Sequence, residues 1–275
     1  MIAIPVFAFL FGLIIGSFLN VCIYRMPRDL SVVKPRSFCP ACEKQIAWYD
    51  NIPVVSYFLL GRKCRYCGAR ISFRYPLVEL LTGALFFLIV SALGPTAAAL
   101  KLCVLCALLV GLSFADLDSL ILPDEFTLGG IVIGLIFAWF VPVNDVLMRV
   151  ALSVAGFRPN QHWASIAESL AAAVVPAAFL ALGGWVFEKV RHKEGLGFGD
   201  VKMTAMIGAF LGLRLTLLTL ILGSVAGSVI GVIYIYATKK DAATYELPFG
   251  TFLGFAGIVV ALAGAPIVHW YASLF

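Results

Sequence analysis

Eight long apolar runs, each bounded by charge, proline or glycine, dominate the chain: Ile2–Tyr24, Tyr75–Leu93, Ala97–Ala115, Glu125–Val141, Ile166–Phe187, Val201–Leu213, Thr216–Ala237 and Thr251–Tyr271. A hydrocarbon core of roughly 30 Å takes about 20 apolar residues per helix, and most of the runs are close to that length; Val201–Leu213 is the shortest. None shows the strict alternation of a barrel strand. Backbone groups left unpaired in lipid cost several kcal/mol each, so every run must satisfy its own backbone as a helix. The expected fold is all-α, a polytopic membrane protein with about eight transmembrane helices.

Composition agrees, with 62% hydrophobic and only 13% charged residues, where a soluble domain runs near half apolar and a quarter charged. Lys and Arg gather in three places: ten from Arg25 to Arg74, four in Lys189–Lys202 and two at Lys239–Lys240. Basic residues concentrate in cytoplasmic loops, so eight helices put all three clusters inside and both termini outside. The Asp116–Asp124 loop then falls inside as well. The first run has no basic n-region and no small-residue cleavage site, which makes it a retained helix entering from outside. The net charge of +5 follows from this asymmetry. No nucleic-acid partner is implied, and the basic loop faces the anionic headgroups of a lipid bilayer.

Seven cysteines fall into two groups. Cys22, Cys103 and Cys106 lie in apolar runs and read as small buried hydrophobes. Cys39-Pro-Ala-Cys42 and Cys64-Arg-Tyr-Cys67 form two knuckles at zinc-ribbon spacing, with Gly68 suited to the turn after the second. Four thiolates so placed converge on one tetrahedral soft-ligand ion such as zinc. Two disulfides are the competing reading, disfavoured on a reducing side. A closed four-thiolate sphere staples a loop too poor in apolar residues to fold alone, so the metal is structural. The expected organisation is a first helix over 1–24, a four-cysteine module over 25–74 and a helical bundle over 75–275.

Carboxylates beside apolar helices are expensive and therefore functional candidates. Asp116, Asp118, Asp124 and Glu125 flank Pro123 between the third and fourth runs. Gly195-Leu-Gly197-Phe-Gly199-Asp200-Val-Lys202 opens the sixth. Asp124 and Glu125 suit first-turn positions that complement a helix dipole. Asp116, Asp118 and Asp200 reach one cytoplasmic face in the topology set by Lys and Arg alone. Two carboxylates at close range share a proton, so one can activate water while the other polarises a peptide carbonyl. Glycines at alternate positions admit a close backbone or an extended peptide. Lys202 either tunes such a pair or anchors at headgroup level, and Glu79 either assists binding or pairs with Arg74.

Gly197-Phe-Gly199-Asp200-Val-Lys202 resembles the GxGDxK motif of type IV prepilin leader peptidases, a family of intramembrane aspartic proteases. Gly16-Ser-Phe-Leu-Asn20-Val-Cys-Ile-Tyr-Arg25-Met-Pro27, the two CxxC pairs, Arg74-Tyr-Pro76-Leu-Val-Glu79 and Leu247-Pro-Phe-Gly250 are similar to further blocks of that family. The resemblance implies an endopeptidase of the bacterial inner membrane. It would remove the leader of prepilins or pseudopilins on the cytoplasmic side, and methylate the new N-terminus with S-adenosylmethionine. Carried over by position, Asp200 is one catalytic aspartate. The family's spacing of seven residues before the proline selects Asp116 over Asp118 as the other. Gly197, Gly199, Lys202 and Asp118 become supporting residues, and Gly16, Asn20, Arg25 and Glu79 mark a methyl-donor or substrate region. The basic leader would lie beside Asp118, Asp124 and Glu194.

Two departures stand out: Thr251 occupies the place of a common proline after the Pro-Phe-Gly stretch, and Val143–Ser165 is a long polar connection outside the membrane. Neither is expected to touch the aspartate pair. A peptidase without methyltransferase activity is an alternative. A proton- or cation-coupled transporter would instead put its acids in mid-span and show internal repeats; here they sit at the ends of runs and no repeat is visible. A noncatalytic scaffold would explain the cysteines and leave the aspartates unmotivated.

Overall fold

The computed structural model describes residues 2–143, 156, 160–191, 197–238 and 247–274. Most of the Val143–Ser165 connection, Glu194, Gly195 and the Lys239–Lys240 pair lie outside the described residues. Among the described residues there are nine α-helices and no strand: α1 (Ala3–Arg25), α2 (Val55–Leu59), α3 (Arg74–Leu93), α4 (Ala97–Ser119), α5 (Asp124–Phe140), α6 (Gln161–Arg191), α7 (Phe198–Leu211), α8 (Leu213–Thr238) and α9 (Phe249–Ala272). Each apolar run is one of these helices. Six are long and apolar enough to cross a membrane, while α5, with 17 residues, and α7, with 14, are shorter. The protein is thus an all-α, multi-pass membrane protein.

The chain divides into two compact units, Met1–Gly111 and Leu112–Phe275, with the boundary inside α4. In the first, α1 lies against α3 through a stripe of Gly12, Gly16 and Asn20 at helical spacing. A Cβ at Gly12 would stand 2.8 Å from Gly83 Cα, and one at Gly16 only 2.6 Å from Glu79 Cα, so only glycine lets the two backbones meet. Small residues serve this purpose wherever helices pack in lipid without a hydrophobic driving force. Asn20 extends the stripe, its amide donating to the Tyr75 carbonyl at 3.0 Å.

The segment between α1 and α3 has little core: from Met26 to Phe73 only Cys39 and Tyr57 are buried apolar residues. Its order comes from two knuckles with the same backbone plan. Cys39 and Cys64 each donate an N–H to the carbonyl five residues on, at 3.0 and 2.8 Å. The bridges Phe38–Gln45 and Lys63–Arg70 close the two knuckles at the same register. Each turn needs a left-handed residue, and Gly68 supplies it in the second as its position suggests. In the first knuckle that residue is Glu43, with φ of 56°. Arg25, buried at the end of α1, holds the segment leading into the first knuckle by donating to the carbonyls of Ser31 at 2.9 Å and Arg36 at 3.3 Å.

In the second unit α7 is the central element, packed against α5, α6, α8 and α9 and buried along most of its length. A Cβ at Gly208 would fall 2.1 Å from the Ala172 carbonyl oxygen of α6. Close approach of this kind seats a 14-residue helix at the middle of the unit.

Candidate active site

Asp116 lies near the end of α4, which continues four residues past the apolar run and stops where Leu120 adopts φ of 55°. The Asp116 side chain is 5% exposed, whereas Asp118 is on the exposed face. Pro123 then caps α5 in an extended conformation, with Asp124 and Glu125 exposed in the first turn, as the dipole argument expects.

Asp200 is the third residue of α7 and is 8% exposed. Gly197 precedes the helix as its N-cap. At Gly199 a Cβ would press on Leu122 Cβ at 3.0 Å, so this glycine lets the first turn of α7 sit on the link between α4 and α5. Gly250 in the first turn of α9 completes the site. The point where its Cβ would stand lies 3.0 Å from Leu122 Cδ1, 3.1 Å from Asp200 Oδ1 and 3.2 Å from Asp116 Cγ. Both carboxyl groups therefore crowd one hydrogen-sized gap.

The nearby lysine is already engaged: Lys202 forms an ion pair with Asp124 and lies over the Phe198 ring at 5.4 Å. That contact ties the start of α7 to the start of α5. Asp116 takes its hydrogen bonds from Thr251, whose N–H is 2.7 Å and whose hydroxyl is 2.9 Å from Oδ2. This corrects the expectation that the Thr251 departure lies clear of the pair. Sequence reasoning gave no role at the site to Thr251, Leu122 or Gly250. Only the Leu247–Gly250 block carried a signal, and it gave no role.

Of the remaining sequence candidates, Gly16, Asn20 and Glu79 lie where α1 meets α3 in the first unit. Gly16 abuts Glu79, and the Glu79 carboxylate accepts the Val54 N–H at 2.7 Å. Val54 has φ of 63°, a strained value for a β-branched residue. Asn20 Oδ1 is buried with no hydrogen-bond partner among the described residues.

In the module the ligand atoms of Cys39, Cys42, Cys64 and Cys67 all lie within 4.8 Å of one another, and no cysteine is in a disulfide. The 3.9 Å between Cys39 Sγ and Cys67 Sγ is close to the edge of about 3.8 Å for a tetrahedron with 2.3 Å metal–sulfur arms. The backbone N–H groups of Cys67 and Tyr66 aim at Cys64 and hold its thiol down to about 7, a thiolate ready to ligate. At Cys67 the Ala69 N–H acts the same way, but desolvation and the neighbouring sulfurs outweigh it and push the thiol up to about 11. The group fits a single metal ion.

Two family descriptions match the chain: the bacterial peptidase A24 N-terminal domain over residues 10–93, and the type IV leader peptidase family over residues 103–232. A prepilin leader peptidase/N-methyltransferase of Myxococcus xanthus is 42% identical over 238 residues, which is 86% of this chain and 64% of that protein. One of the same name from Aeromonas salmonicida is 34% identical, covering 96% of this chain and 92% of its own length. The type 4 prepilin-like proteins leader peptide-processing enzyme of Escherichia coli is 39% identical over 93% of each chain. No solved structure matches.

Proposed function

The chain belongs to the type IV leader peptidase family, and from that premise we propose that it is an aspartic endopeptidase of the bacterial inner membrane. It removes the leader of a prepilin or pseudopilin at the cytoplasmic face and methylates the N-terminus so exposed. The observation that carries the reading is the convergence of Asp116 and Asp200 on Gly250.

Asp116 and Asp200 hold a water between them, one ionised and one protonated. The ionised carboxylate takes a proton from the water as its oxygen bonds to the scissile carbonyl carbon. The protonated one hydrogen-bonds the carbonyl oxygen and stabilises the charge that develops there. Collapse of the tetrahedral adduct breaks the C–N bond as a proton passes to the leaving amine, so no covalent enzyme intermediate forms. Low exposure of both carboxyls strengthens these interactions by excluding other water.

Cys39, Cys42, Cys64 and Cys67 would hold zinc, whose ligation would brace the module. For methylation, the buried Asn20 Oδ1 and the Glu79 carboxylate fit the amine and positive charge of S-adenosylmethionine, with Gly16 and Arg25 shaping the same region. The donor supplies an electrophilic methyl group.

Purified protein incubated with a prepilin tests the peptidase. Asp200→Asn and Asp116→Asn are expected to abolish cleavage, a loss of at least about 1000-fold, and Asp118→Asn to retain it. Cleavage by Asp200→Asn would refute the mechanism, and activity in Asp116→Asn with loss in Asp118→Asn would reassign the pair. The mass of the mature pilin N-terminus, with and without methyl donor, tests the second activity; an unmodified amine in both cases rules it out.

A further inference from the structure

Thr251 meets Asp116 in a way that a capping residue alone would not require. It is the third residue of α9, where a backbone N–H has no intrahelical carbonyl four residues back. That N–H points at Asp116 Oδ2 at 2.7 Å while also approaching the Pro248 carbonyl at 3.2 Å. The hydroxyl stands 2.9 Å from the same Oδ2 and 3.1 Å from the Ser113 carbonyl, one turn back on α4. Thr251, Ser113 and Asp116 are all buried.

A hydroxyl has one proton, and a backbone carbonyl can only accept. The two oxygens near Thr251 Oγ1 are therefore served in turn. When Asp116 is ionised, the hydroxyl donates to Oδ2. When Asp116 carries a proton, the hydroxyl donates to the Ser113 carbonyl and its oxygen accepts a hydrogen bond from the Asp116 carboxyl instead. Both arrangements keep the buried groups satisfied, as a site with little water demands. Both donors also fall on Oδ2, which leaves Oδ1 as the freer oxygen for water.

We propose that Thr251 is the positioning residue of Asp116, its N–H fixing Oδ2 and its hydroxyl turning between Asp116 and the Ser113 carbonyl as Asp116 gains and loses its proton. The inference rests on the peptidase reading and adds a residue to it. It holds whichever aspartate acts as base, because both change protonation during one turnover. Thr251 acts through Asp116 and need not touch the substrate.

The test compares Thr251→Ser with Thr251→Ala in the full-length protein. Both lose the methyl group and keep the N–H, and they differ by one oxygen. Steady-state cleavage of a prepilin is measured alongside thermal melting, with wild type, Asp200→Asn and the isosteric Thr251→Val in the same series. The Ala and Val variants are expected to show kcat about 10- to 100-fold below Ser, with KM within about twofold, matching loss of a hydrogen bond to a charged group. Ser should stay within about threefold of wild type. A merely structural role would make Ser and Ala fall together, in step with their melting temperatures. Ser and Ala with the same kcat, in a series where wild type cuts and Asp200→Asn does not, overturn this inference alone. Should the Val variant fail to fold, the Ser and Ala pair still decides. A wild-type chain that does not cut overturns the peptidase reading and this inference with it.

Discussion

Asp116 and Asp118 are two positions apart, or about 200° around α4, so only one of them can face into the bundle. The structure turns Asp116 inward and leaves Asp118 exposed. Gly250 provides a sharper check on the geometry. Its backbone is ordinary helix, so alanine costs nothing in conformation there, yet the added methyl would sit within 3.2 Å of both carboxyl groups and of Leu122. Gly250→Ala is expected to push the pair apart and lower kcat at least about 10-fold with the fold intact, because displacements near 1 Å are costly to aligned chemistry. Cleavage kinetics and thermal melting of the purified variant check this, and unchanged kcat would remove Gly250 from the site. The acids were legible in the sequence because a carboxylate among apolar residues stands out. Thr251 was not, since its role depends on a partner 135 positions away that no local pattern reveals. Leu122 was hidden for the opposite reason, as one leucine among many.

At the scale of elements, all eight apolar runs became helices because lipid leaves the backbone no other way to satisfy itself. Their ends were less legible. The helix α4 outlasts its apolar run to Ser119, and that extension is what carries Asp116. The four-cysteine module was legible from spacing alone, although the need for a left-handed Glu43 in its first knuckle was not. With two buried apolar residues between Met26 and Phe73, burial cannot hold the module against the conformational entropy of some fifty residues. Metal ligation adds roughly 10–16 kcal/mol in small zinc domains to the hydrogen bonds and packing the segment does make. Removing the metal with a strong chelator is therefore expected to make the segment between α1 and α3 protease-sensitive while the helical circular dichroism persists. Cys64→Ser with Cys67→Ser should behave the same way without chelator. A module that resists proteolysis in both cases would show that something other than metal holds it.

For the molecule as a whole, the ends of helices that meet at the site constrain sidedness within the second unit. The C-terminal end of α4 and the N-terminal ends of α7 and α9 supply Asp116, Asp200 and Gly250 to one place. At the other end, the Ser165 hydroxyl of α6 donates to Ala138 of α5 at 2.7 Å and accepts the Val143 N–H at 2.9 Å. His162 stacks on Trp139 with centroids 5.0 Å apart, a belt of the kind aromatic residues form at a membrane interface. Lys and Arg cluster with the first of these ends and with the module, so those should face the cytoplasm and the aromatic end should face outward. Added thiols can report this, because Cys22, Cys103 and Cys106 are buried and the other four cysteines are gathered for a metal. Leu59 in the module is 80% exposed, and Gln161 at the start of α6 is exposed as well. In spheroplasts, a membrane-impermeant maleimide is expected to label Gln161→Cys at once and Leu59→Cys only after permeabilisation. The reverse pattern would invert the topology and place Asp116 and Asp200 on the side where a cytoplasmic leader never arrives.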